Sequence, residues 1–482
     1  MAEAIGYKSK AAFRLHGASA TGYPLSTDNA EAVATVLRKG DLIPLLSESI
    51  SEEYEYALEN TIIGHSGVAR VQNIARMGGG GLSCEGCYLG LDSLIAAALG
   101  WEKPANSAAN SVSPLFTESA GGEGNAVSGT TAAGTTGTTI VATTGVFSSN
   151  MVGEWVRIEE AGDTSEGQVR RITAIASATT ATITPEWTIN PGAGKAFTAA
   201  RIFTHLLEPA PSLHDELITN YYTNYHIHTS GLSTHLLKRW GTLVVAKTVS
   251  NWEWRAAMVE SMKISFKPKD GLMLDFEIVP FDLDRVNSQT PGYWAWSAGK
   301  YHQERVRFAD CVFRLGNYSA STPLNDDNIL SFQEFELTVK NNMQLDARGT
   351  SSGLYRLQPM INSRREISGS LTLPRYAADA RLASHSADTI LMADLVCTGS
   401  TPISATPVAF KLYLNSLKLL KPDITIPGPG VLTEKWGFEV ILPAATPAGM
   451  NASTNGYLEQ LTINTINTNP YNAFRGQNAE TA

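Results

Sequence analysis

The stretch GGGGLSCEGCYLGLDSLIAAALG, residues 78–100, decides how this chain is read. Four glycines at 78–81 let a loop turn sharply into a short strand, because a residue without Cβ reaches backbone angles closed to the others. Leu91 to Leu99 then reads as a helix, opened by Asp92-Ser93 and stopped by Gly100. The order is strand, short turn, helix. Cys84 and Cys87 give it a C-x-x-C, and the glycine run lacks the Lys-Ser/Thr that completes a phosphate-binding loop.

Outward from this segment, the same order returns. SESISEEYEY (47–56) precedes it across a long loop. In the second half, FQEFELTVKNN (332–342) precedes REISGSLTLPRYAADARLAS (365–384), with a helix expected over Tyr376–Ala383 behind Pro374. Ile50 to Leu82 spans 32 residues, and Phe335 to Ile367 also spans 32. A third element recurs, ESMKISFKPKDGLMLDFEIV (260–279) against NSLKLLKPDITIPGPGVLTEKWGFEVIL (415–442). In the first, Met262, Ile264 and Phe266 alternate with polar residues, as do Leu272, Leu274, Phe276 and Ile278 beyond a Pro268–Gly271 turn. This is a half-buried hairpin. The two copies are offset by 285 residues, Ile50 against Phe335.

Between the second and third elements the first copy carries extra material. In Ser111–Gly145, 25 of 35 residues are Gly, Ser, Thr or Ala, and Glu118 and Glu123 are the charged ones, a flexible-linker composition. A short β block follows, with strands expected at Glu154–Glu159, Gln168–Ala174 and Thr179–Thr184 and closed by Pro185, Pro191 and Gly192. The expected organisation is residues 1–110 and 206–290 as one module, 291–482 as a second, and 111–205 as a linker with an inserted small β domain, projecting outward on its tether. The fold class is mainly β: two tandem β-sandwich or barrel modules, each with one short helix, plus the insert.

The 482 residues are 43% apolar and 17% charged, enough for sizeable cores. A net charge of −9, from 37 basic and 46 acidic residues, argues against a protein that grips nucleic acid. No run approaches the roughly 18 apolar residues of a membrane helix. Four cysteines are too few for a disulfide framework, which points to folding in a reducing cytoplasm. Cys311 and Cys397 stand alone in the sequence.

The order of elements, and above all GGLSCEGCYLGLDSLIAAALG (80–100), resembles the tail tube protein family of long-tailed bacteriophages. The segments EWVRI (154–158), QVRRITAI (168–175) and TATITPEWT (180–188) are similar to small β modules of phage tail and fibre proteins. The resemblance implies a structural virion protein, not an enzyme, made in the host cytoplasm. It implies no catalytic, cofactor or metal residues. Its partners would be itself, a tape-measure-like scaffold, other tail proteins and passing DNA, without membrane insertion. Two modules per chain would let three chains imitate a six-fold ring. Alternatives are a hub or distal tail protein on the same fold, or a carbohydrate-binding surface protein.

A tube subunit needs strand edges that close into a barrel, loops that order between rings, and a bore to which phosphate does not stick. Candidate stacking loops are Leu58–Met77 and Gln344–Ser363, and candidate lumen acids are Glu48, Glu52, Glu53, Glu334 and Glu336. The C-x-x-C lacks a second pair and lies in a strand, which disfavours zinc or redox chemistry. His226, His228 and His235, crowded by Tyr221, Tyr222 and Tyr225, read as a packed polar loop. Trp240 and the period-two pairs Trp252/Trp254 and Trp294/Trp296 read as core or interface rather than sugar-stacking platforms.

Overall fold

A computed structural model of the chain describes residues 10–15, 42–58, 71–103, 114–121, 124–159, 168–209, 240–247, 250–286, 304–345, 360–361, 363–375, 380–402, 406–423, 432–450 and 459–471. The first half opens with β1 (Lys10–Leu15), β2 (Leu42–Ile43), β3 (Leu45–Glu48), β4 (Ser51–Leu58), β5 (Val71–Glu85) and helix α1 (Asp92–Leu99). The insert follows as β6 (Gly100–Lys103), β7 (Leu115–Glu118), β8 (Val127–Thr130), β9 (Thr139–Val141), β10 (Trp155–Ile158), β11 (Val169–Ser177), β12 (Thr180–Thr184), β13 (Ala196–Ala200) and β14 (Ile202–Pro209). The first half resumes with β15 (Gly241–Lys247), β16 (Ser250–Lys267), β17 (Gly271–Val279) and β18 (Asp282–Val286). The second half runs β19 (Cys311–Asn317), β20 (Glu334–Lys340), β21 (Met343–Gln344), β22 (Met360–Ile361), β23 (Glu366–Leu373), helix α2 (Ala380–Ser386), β24 (Leu391–Thr398), β25 (Ala409–Asp423), β26 (Glu434–Val440) and β27 (Leu461–Asn467).

The fold is mainly β, and its two halves repeat one pairing scheme. In the first, β1 pairs with β15, β15 with one half of β16, and that half also with β18. The other half of β16 pairs with β17, then β17 with β5 and β5 with β3. In the second, β19 pairs with β24, β24 with β25, and β25 with β27. The far end of β25 pairs with β26, β26 with β23 and β23 with β20. The long strands pass between layers at register shifts, near Ala256 (φ 45°) in β16 and beside Asn415 in β25. Both layers and α1 share one core, which runs from Leu82, Phe266 and Leu337 to Trp436 and Ile463.

Local patterns formed the expected elements. Helix α1 covers the predicted residues and ends on Gly100 at φ 94°, where a left-handed cap favours glycine. The hairpin sets Phe266 opposite Leu272 and Ile264 opposite Leu274, with the apolar side buried. Helix α2 is described from Ala380, where Arg381 forks onto buried Glu434 at 2.8 and 2.7 Å.

Three readings are corrected. The equal 32-residue spacings do not mark equivalent pairs: Leu82 faces Glu48, whereas Ile367 faces Val339, because β3 and β20 meet their partners at different offsets. The Gly/Ser/Thr stretch is not a tether where described. β8 and β9 are the end strands of a six-stranded sheet, ordered β8-β13-β10-β11-β12-β9, and meet each other at the Thr131–Ala142 bridge, with Ile140 in its core. Small Thr and Gly residues suit it, since Thr135 Oγ1 satisfies backbone at Ala132 and Val141. Finally, Cys311 and Cys397 do not stand alone. They face each other across β19 and β24 and are disulfide-bonded.

Candidate assembly surface

Pairing of β16 with β20 fuses the two halves into one eight-stranded sheet, ordered β3-β5-β17-β16-β20-β23-β26-β25. Period-two alternation gives it two faces. Met262, Ile264, Phe276, Leu337, Leu371 and Phe438 enter the core. The opposite face carries Ser83, Ser261, Ser265, Thr338, Ser368 and Ser370 among Lys263, Lys267, Asp275, Glu277, Lys340 and Glu439. Charges on it are interleaved: Lys263 Nζ lies 3.1 Å from Glu336, Ser83 donates to Asp275 at 2.5 Å, and Ser261 donates to Glu277 at 3.2 Å.

The five acids singled out from sequence separate here. Glu334 and Glu336 lie on this polar face, half-buried. Glu48 is held by Lys247 at 3.0 Å. Glu52 pairs with Arg76, which also reaches Asp282 at 3.1 Å, while Glu53 is exposed. Burial, opposed by Arg76, raises the Asp282 carboxyl above its ordinary pKa.

The sheet ends in two edges. Among the described residues no strand lies beyond β3, and none lies on β25 opposite β26 over Lys418–Asp423. In the duplicated scheme β25 corresponds to β16 and β3 to β20, so these edges are the counterparts of the two strands that already pair internally. Leu46 and Leu420 are 53% and 45% exposed on these edges.

The first expected loop is in part a hairpin arm. Val71–Met77 belongs to β5 and pairs along β4, with Tyr56 opposite Asn73 and Leu58 opposite Val71. Residues 59–70 lie outside the described residues. The glycine run sits inside β5 rather than before it, where the strand passes from β3 to β4. A Cβ on Gly80 (φ 154°) would stand 2.5 Å from the Ser49 carbonyl oxygen. The arm exposes Tyr54, Tyr56, Val71 and Ile74. In the second half β21 and β22 pair at the corresponding place, and residues 346–359 lie outside the described residues.

The insert is seated on the second half through β14, which pairs with β6, β7 and β27. Sequence reasoning missed the polar cluster at this seat, because its members are far apart in the chain. Asp92, in the first turn of α1, accepts from Thr465 Oγ1 at 2.6 Å, Asn467 Nδ2 at 3.0 Å and Asn469 Nδ2 at 3.2 Å. His205 Nδ1 lies 2.8 Å from Glu102 and its Nε2 2.9 Å from the Asn469 carbonyl. Both partners are acceptors, so both ring nitrogens donate and the imidazole is charged. Burial works against that charge, but the Asp92 and Glu102 carboxylates and these hydrogen bonds outweigh it and lift the pKa to about 9.

Cys84 and Cys87 are free and buried. Burial raises the Cys84 thiol well above its usual range and pushes Cys87 up to about 12, the opposite of what a reactive thiolate needs. Trp254 is core and Trp252 stacks edge-on against it at 6.0 Å, beneath Lys247. Trp240 is buried with Met258 and Phe281. Trp294, Trp296, His226, His228, His235, Tyr221, Tyr222 and Tyr225 lie outside the described residues. No group of three or more His, Cys, Asp or Glu among the described residues could hold a metal ion, and no described helix is long and apolar enough to cross a membrane.

What the fold presents is a duplicated β sheet whose two end edges bear no strand among the described residues. The sequence model of the family described as phage tail tube protein matches residues 30–440, and the chain belongs to that family. It is therefore a structural protein of the phage tail and a virion component. No curated protein matches it.

Proposed function

We propose that this chain self-assembles into closed rings of three subunits, six modules to a ring, which stack into the tube that genomic DNA crosses during ejection. One observation carries the reading: the β16–β20 junction inside the chain is matched by a β25 edge and a β3 edge with no strand on them among the described residues. A heterologous contact that repeats the internal one closes a ring and leaves no edge exposed. The internal register sets Lys263 opposite Thr338. With SMK (261–263) aligned on SLK (416–418), Lys418 of one subunit would face Ser47 of the next. The polar face of the sheet would line the bore. Its small hydroxyls and paired charges offer phosphate no basic stripe to bind. The β4–β5 arm, with its exposed aromatic rings, would meet the adjacent ring, and the scaffold and other tail proteins would be the remaining partners.

Engineered cysteines test the register. With Lys418→Cys and Ser47→Cys in one chain, oxidation should give covalent trimers on a non-reducing gel and stacked rings in electron micrographs. Chains that stay monomeric under assembly conditions, with no cross-link, would overturn the reading.

A further inference from the structure

The insert departs between α1 and β15 of the first half, yet its firmest contacts are with the second. Strand β14 extends the second half's β19-β24-β25-β27 layer by pairing with β27, Phe203 opposite Asn467 and Leu207 opposite Ile463. Buried Glu118 on β7 accepts the Thr406 backbone N–H at 2.6 Å. Trp155 meets the Tyr471 ring edge-on at 5.5 Å, and Ile202 packs with Ala409 and Ile466. His205 reaches the Asn469 carbonyl. Every one of these partners follows residue 400, in the second half.

A duplicated chain faces an ambiguity that a single module does not. Strand β16 could accept β20 or the corresponding β3 of another copy, and both would satisfy the ladder. Specificity then needs a contact that only the correct neighbour makes. We infer that the insert is a clasp that selects the second module as the neighbour of the first, and so fixes the alternation of modules. The contacts of Glu118, Trp155 and His205 all lie beyond the β16–β20 ladder, so they add discrimination where the ladder has little. Its consequence for rings rests on the proposed function, but the clasp itself is a property of one chain.

Hydrogen exchange read by mass spectrometry on the full chain tests it. The double variant Glu118→Ala/Trp155→Ala should raise exchange about tenfold or more in β27 (Leu461–Asn467) and also in the β16–β20 ladder (Ser261–Phe266 and Phe335–Lys340). The β12 strand inside the insert should keep its protection, which reports that the insert still folds. Glu118→Gln, which keeps the acceptor, should behave as the parent. Faster exchange confined to β27, with the β16–β20 ladder as protected as in the parent, would overturn the clasp. If the insert itself loses protection in the double variant, Glu118→Ala alone is read by the same criterion. Failure of the parent chain to form rings, with the ladder response intact, would count against the proposed function and not against the clasp.

Discussion

Raising the pH should loosen the seat of the insert through His205. Its imidazole is buried, donates from both nitrogens, and has its pKa lifted from 6.5 to about 9. A group whose folded pKa is raised contributes stability that is fully present below its unfolded pKa and lost as pH climbs through the folded one. The window is therefore pH 6.5 to 9. At 1.36 kcal/mol per pKa unit, the shift corresponds to on the order of 3 kcal/mol, an upper value because local opening at the seat can relieve part of it. Denaturant unfolding at pH 6 and pH 9.5, for the parent and for His205→Gln, isolates the effect, since the other titrating groups are common to both. The parent should lose stability across the window and the variant should lose markedly less. Equal pH dependence in the two proteins would refute the assignment of a charged His205.

Two further perturbations follow from the geometry. Gly80→Ala should destabilise by roughly 2 kcal/mol or more, since φ 154° and the Ser49 carbonyl oxygen both exclude a Cβ, and a lowered Tm would report it. The Cys311–Cys397 bond closes a separation of 86 residues, which in the chain-entropy account is worth at most about 4–5 kcal/mol. Reducing agent, or Cys311→Ser with Cys397→Ser, should lower Tm by several degrees, while an unchanged Tm would show that the bond adds nothing.

The legible part of this chain was the part written in local periodicity. The Leu91–Leu99 helix and the 262–278 hairpin came directly from apolar spacing and a stopping glycine, and the order of such elements was enough to show the duplication and the family resemblance. Composition misled at 124–145, where Gly and Thr made paired strands: small residues fit a tightly turned sheet as well as they fit a linker. Spacing misled between Ile50 and Leu82, since a count of residues does not reveal the register at which two strands meet.

The sequence by itself determined that this is a duplicated, mainly β protein with an insertion, because strand and helix periods are properties of neighbouring residues. Only the tertiary structure decided which edges stay open, that Cys311 meets Cys397, and that the insert rests on the second half through Glu118, His205 and Trp155. Those contacts join residues tens to hundreds of positions apart. Their partners are chosen by the packing of whole layers, which no local pattern encodes.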